Sequence, residues 1–134
     1  MRSIFDIKNP LPFDEHLFKR MSAIAQNALK EAEKQQYTQA IVLLTVSGRE
    51  YCSVITDAMS SEKKEERALI DSLITYKDTC VSSVLCMWSD GNTDIPSFAF
   101  RKMLFELNSE NLNAGIFVKT FNGYSILKMG NTMK

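Results

Sequence analysis

Lys64, Glu66 and Arg67 lie within one short charged stretch, and Ser97 and Arg101 stand together further along, with 33 positions separating Lys64 from Ser97. A carboxylate such as Glu66 can act as a general base, and a lysine, a serine hydroxyl or an arginine can hold an anionic or carbonyl group. Gathered in one cleft, these side chains would suffice for metal-independent acid–base chemistry. The same residue types also stand on many inert surfaces, and nothing in the sequence specifies a reaction. Metal chemistry has less to work with. The single histidine, His16, sits among Phe13, Leu17 and Phe18 and reads as a surface or cap residue, because one histidine without neighbouring cysteines cannot complete a tetrahedral site. Cys52, Cys80 and Cys86 make an odd count with no C-x-x-C pair, which predicts reduced, buried thiols.

The elements that must position these residues follow from hydrophobic period. Residues 1–12 hold two of the three prolines and no sustained period, so they read as an extended leader to a single domain over residues 13–134. Asp14 is placed to start a helix in which Leu17, Phe18, Met21, Ile24, Ala25, Ala28, Leu29 and Ala32 recur at three and four, predicting a helix to about Lys34. Gln39 to Val46 and Glu50 to Ile55 flank Ser47-Gly48 and read as a hairpin. Ser60 or Ser61 caps a second helix that turns Ala68, Leu69, Ser72 and Leu73 inward and ends near Tyr76.

Val81 to Trp88 is a nearly continuous apolar run, the pattern of a strand buried on both faces, and Ser89 to Asp94 reads as a loop. Pro96 opens a third helix carrying Phe100, Met103, Leu104 and Leu107, with proline where its missing N–H costs nothing. Gly115 to Phe121 and Tyr124 to Met129 flank Asn122-Gly123, a strong hairpin signal. The predicted order is α-β-β-α-β-α-β-β, an α/β fold with a five-stranded mixed sheet, and a right-handed crossover is expected within Leu73 to Thr93.

Composition excludes several function classes. The 134 residues are 45% hydrophobic and 24% charged, within the ordinary range for one globular domain. Sixteen basic and sixteen acidic residues give a formal net charge of zero, so no general attraction for nucleic acid or anionic lipid is expected. The longest strongly apolar run, Ala40 to Val46, is far short of the roughly 20 residues that span a bilayer. The N-terminus lacks a basic-then-apolar signal pattern, and the expected location is the cytoplasm.

Two stretches carry a family resemblance. Glu66-Arg67-Ala68-Leu69 and Pro96-Ser97-Phe98-Ala99-Phe100-Arg101-Lys102-Met103-Leu104-Phe105-Glu106-Leu107 resemble the two zinc motifs of the cytidine deaminases, Cys/His-Ala-Glu-Arg and Pro-Cys-x-x-Cys-Arg-Gln-x-Leu-x-Glu-Phe. Order, spacing and helix-start placement match the homotetrameric free-nucleoside branch, and the similarity extends over residues 14 to 130. The resemblance implies a three-layer α-β-α fold, with Glu66 at the proton-shuttling glutamate and Lys64, Ser97 and Phe100 at the three metal-ligand positions. None of these three replaces a zinc thiolate or imidazole: lysine is cationic, serine ligates zinc poorly, and phenylalanine has no donor atom. The substrate-binding Asn-x-Glu of the second strand is absent, with Asp57 an approximate stand-in. Arg67, Phe98 and Arg101 complete the candidate pocket.

The sequence therefore predicts no metal and no cofactor, and a catalytically inactive deaminase-like protein whose former pocket is filled, by Lys64 and Phe100, or binds a small ligand. A metal-independent enzyme or a nucleoside- or metabolite-binding protein using Glu66 is the first alternative. A protein-interaction or regulatory scaffold displaying aromatic residues is the second. The resemblance further implies a homo-oligomer, dimer or tetramer, and Glu66 close to Lys64 or Arg101.

Overall fold

Asp14 accepts the Leu17 N–H at 3.0 Å and so caps α1 (Glu15–Glu31), satisfying one of the donors that a helix start leaves without partners. The computed structural model describes residues 11–32, 38–56, 63–120 and 123–133. Within them α1 stops at Glu31, where Ala32 turns to extended backbone, short of the predicted Lys34, which lies outside the described residues. Met21, Ser22, Ala25 and Leu29 are its buried stripe.

Two strands, β1 (Gln39–Thr45) and β2 (Glu50–Ile55), form the expected antiparallel hairpin. Its turn is closed by Thr45 N–H to the Arg49 carbonyl at 3.0 Å, with Gly48 at φ 91°, a conformation that favours glycine. The next helix, α2 (Lys64–Thr75), is capped by Lys63 at φ 56° without a side-chain hydrogen bond. The expected caps Ser60 and Ser61 lie outside the described residues. The strand β3 (Val81–Trp88) has the predicted bounds and is largely buried, because β1 flanks one edge and helices cover both faces.

Thr93 and Asp94, taken as the end of a loop, form a two-residue strand, β4, against Met87 and Cys86 of β3. Two residues are too few to show a period, so the element left no pattern in the sequence. The third helix is α3 (Phe98–Leu107), followed by a short 3₁₀ turn over Ser109–Asn113, then β5 (Gly115–Thr120) and β6 (Gly123–Lys128). Gly115 is required by close approach, since a Cβ there would stand 2.6 Å from the Ile126 Cγ2.

The strand order is β2-β1-β3-β5-β6, the five expected strands of a mixed sheet, and the two-residue β4 pairs beside β3 as a sixth. Among the described residues β3 and β5 pair in parallel and are joined through α3, and β2 and β3, each antiparallel to β1, run parallel on either side of it and are joined through α2, so two crossover connections serve the sheet. Leu11, at the end of the expected leader, bonds its N–H to the Ile126 carbonyl at 3.0 Å beside β6, while residues 1–10 lie outside the described residues. On one face of the sheet Leu69, Leu73, Phe100 and Leu104 of α2 and α3 pack on Ile41, Leu43, Val84, Cys86 and Ile116. On the other, Met21, Ala25 and Leu29 of α1 pack on Val42, Leu85, Met87 and Phe117. These are the three layers α-β-α.

Candidate functional site

The first turn of α2 turns one of its charged residues inward. Glu66 shares a helical stripe with Leu69, Ile70 and Leu73, at spacings of three, four and seven, and is only 3% exposed. Lys64 and Arg67 are exposed, and Glu65 accepts the Thr56 hydroxyl at 3.3 Å. Opposite Glu66, Ser97 is the N-cap of α3 and accepts the Phe100 N–H on its Oγ at 3.1 Å. The same hydroxyl donates to Oε2 of Glu66 at 2.7 Å, so the two helix starts meet side by side. Lys63 Nζ stands 3.6 Å from Oε1. Both carboxylate oxygens are therefore engaged, and the positive ends of two helix dipoles favour the charge.

Arg101 closes the neighbouring flank. It is buried, donating from Nε to the Pro96 carbonyl at 3.1 Å and from Nη1 to the Thr132 carbonyl at 2.8 Å, which ties the start of α3 to the C-terminal turn. Its guanidinium lies 5.4 Å from the centroid of the Phe98 ring. Burial draws Arg101 below its ordinary value, and the nearby Asp94 carboxylate opposes that. Asp94 itself is held by the Trp88 indole N–H at 3.1 Å and the Ile95 N–H at 2.8 Å.

The structure thus brings Glu66 and Ser97 together and sets Arg101 and Phe98 beside them. Phe100 is fully buried in the core under α3, Phe98 is 55% exposed, and Asp57 lies outside the described residues. The ion pair seen at Glu66 is with Lys63, a residue that was not among the expected partners Lys64 and Arg101. Lys63 escaped sequence analysis because its left-handed backbone, which swings the preceding residue beside Glu66, has no signature in a lysine. The cysteines also differ from expectation: all three are free, but only Cys86 is buried, whereas Cys80 is half-buried and Cys52 is exposed on β2.

No family model and no curated protein matches the sequence. Solved structures do. The cytidine deaminase from Mycobacterium leprae superposes with a TM-score of 0.65 at 16% identity, over 87% of this chain and 96% of that one. This chain has the cytidine deaminase fold. The enzyme from Burkholderia pseudomallei gives a TM-score of 0.61 at 15% identity, over 89% and 95% of the two chains, and that from Bacillus anthracis 0.61 at 13% identity, over 88% and 89%.

Zinc, the metal that the resemblance implies, does not fit the residues that this fold places here. Phe100 brings no donor atom, Lys64 is exposed, and the Ser97 hydroxyl is already committed to Glu66 and the Phe100 amide. Cys86 is a buried sulfur on the same face of the sheet, where burial pushes its thiol well up and the charges of Asp94 and Glu66 add to that. Among the described residues no group of three His, Cys, Asp or Glu side chains could hold a metal ion. What this arrangement can do is hold α2 and α3 together. Glu66 joins them, with Ser97 on one oxygen and Lys63 on the other.

Proposed function

We propose that this protein is a catalytically inactive member of the cytidine deaminase fold, in which the former active site has become an internal latch of Lys63, Glu66, Ser97 and Arg101. The observation that carries this reading is the Glu66 carboxylate. It stands where the family's proton-shuttling glutamate is expected, yet it is buried and bound by Ser97 from one side and Lys63 from the other. In this reading Phe100 fills the third ligand position with core bulk, and a lysine supplies the positive charge that a metal would bring. Filling is thus done by Phe100 and Lys63. The proposal extends to self-association as a dimer or tetramer and to a reducing, cytoplasmic location, which suits three free cysteines.

The test is elemental analysis of the purified protein combined with a cytidine deamination assay after loading with zinc. We expect no stoichiometric zinc and no ammonia release above the uncatalysed rate. One equivalent of zinc with turnover that Glu66→Gln abolishes would overturn the reading.

A further inference from the structure

On the opposite face of the sheet two buried hydroxyls have no hydrogen-bond partner among the described residues: Ser22 Oγ on α1, whose residue is 8% exposed, and Thr93 Oγ1 on β4, at 7%. A buried hydroxyl without a partner is costly, and such groups are rare in folded proteins. These two line the same cavity. It has a volume of about 300 Å³, within reach of small-ligand sites, and Phe18, Met87 and Tyr124 form its apolar wall.

The sheet topology explains why the cavity exists. One edge of β3 is shared: β5 pairs with Ser83 and Val84, and β4 takes over at Cys86 and Met87. Beyond that changeover the β5–β6 hairpin and β4 are separate walls, roofed by α1, at the carboxyl end of β3, where open α/β sheets offer crevices. Strand alternation then divides the two neighbours in β4. Asp94, opposite Cys86, belongs to the face of the latch, and Thr93, opposite Met87, belongs to the α1 face.

We propose that this cavity binds a small, uncharged heteroaromatic molecule that carries adjacent hydrogen-bonding groups. Phe18 and Tyr124, with ring centroids 4.6 Å apart, and the Met87 thioether offer a polarisable shelf for a flat ring. Two hydroxyls, each able to donate or accept, match a ring edge bearing both a donor and an acceptor. No buried charge lines the cavity: Lys19, at its rim, is exposed and paired with Glu15 at 3.3 Å, which selects against an ionised ligand. This inference stands apart from the proposed inactivity, since the two sites lie on opposite faces of the sheet.

Benzimidazole at neutral pH, which has one ring donor and one ring acceptor, is the probe. Titrated into the full chain and followed by protein NMR, it is expected to shift the resonances of Ser22, Met87 and Thr93 with a dissociation constant in the millimolar range or below. Thr93→Val and Ser22→Ala should each weaken binding about tenfold while melting temperature stays level or rises, because each removes an unpartnered hydroxyl. A purely structural hydroxyl would show the reverse, lower stability with binding unchanged. Ala23→Phe, at an exposed lining position, should abolish binding by filling the space. Glu66→Gln should bind as the parent does. Absence of shifts at millimolar probe, binding that survives both hydroxyl deletions, or loss of binding in Glu66→Gln would overturn the proposal.

Discussion

Two carboxylates, Glu66 and Asp78, are buried by different means, and the difference decides what each can be expected to do. Asp78, in the turn before β3, accepts at a single oxygen from Thr45 Oγ1 at 2.7 Å, Ser47 Oγ at 2.9 Å and the Tyr51 hydroxyl at 2.9 Å. Burial opposes its ionisation, but the three hydroxyls and the Arg49 charge outweigh that and hold it below the ordinary value of 3.8. A depressed folded value means that the unfolded chain binds the proton more readily. The stabilisation is therefore complete above 3.8 and is lost as pH falls through the lower, folded value. Asp78→Asn should cost roughly 1–3 kcal/mol at neutral pH and flatten the acid limb of stability, as urea midpoints at neutral and acid pH will check. At Glu66, the amide of Glu66→Gln keeps an acceptor for Ser97 but removes the charge opposite Lys63. Its cost, roughly 1–2 kcal/mol, is readable by the same denaturation, and an unchanged midpoint would show that the latch holds nothing.

Between elements, the joint that sequence reasoning missed entirely is Asn111. Fully buried in the 3₁₀ turn after α3, it accepts the Val81 N–H at 2.7 Å and donates to the carbonyls of Thr79 at 3.0 Å and Leu104 at 2.9 Å. One side chain thus closes the end of α3 onto the start of β3. Asn111→Ala would leave the buried Val81 N–H without this acceptor and take a donor from the carbonyls of Thr79 and Leu104, the second of which keeps the Asn108 N–H at 3.2 Å, with an expected loss of about 2 kcal/mol and an unchanged m-value in urea unfolding. A loss below the error of that measurement would mean that water replaces the amide. The contrast with the rest of the chain is instructive. The β3 strand was legible as a nearly continuous apolar run, the faces of α1 and α3 because burial repeats at 3.6 residues, and Asp14 because a cap has a side-chain signature. Asn111, Lys63 and β4 were not, since a lone amide, a left-handed lysine and a two-residue strand act through contacts far apart in sequence. At the site, the pairing of Glu66 with Ser97 follows from motif spacing, whereas the choice of Lys63 over Lys64 depends on backbone conformation alone.

For the whole molecule, the question is what the outer face of α3 meets. Phe98 and Phe105, seven residues apart and so on one side of the helix, are 55% and 40% exposed, and Ala99 between them is exposed as well. Two large rings on one helix face raise the apolar fraction of that surface, and a formal net charge of zero leaves little repulsion between copies. Symmetric association of such a face buries the same residues on both partners, so two substitutions act four times across one dimer interface. We therefore expect a dimer or tetramer by multi-angle light scattering, and Phe98→Ser combined with Phe105→Ser should shift it toward monomer. The pairing of Phe98 with Arg101 refines this expectation. Phe105→Ser alone should weaken association and leave the latch intact, while Phe98→Ser should also loosen the α3 start. A parent protein that stays monomeric across a wide concentration range removes self-association from the proposal and leaves the latch to be judged on Glu66 alone.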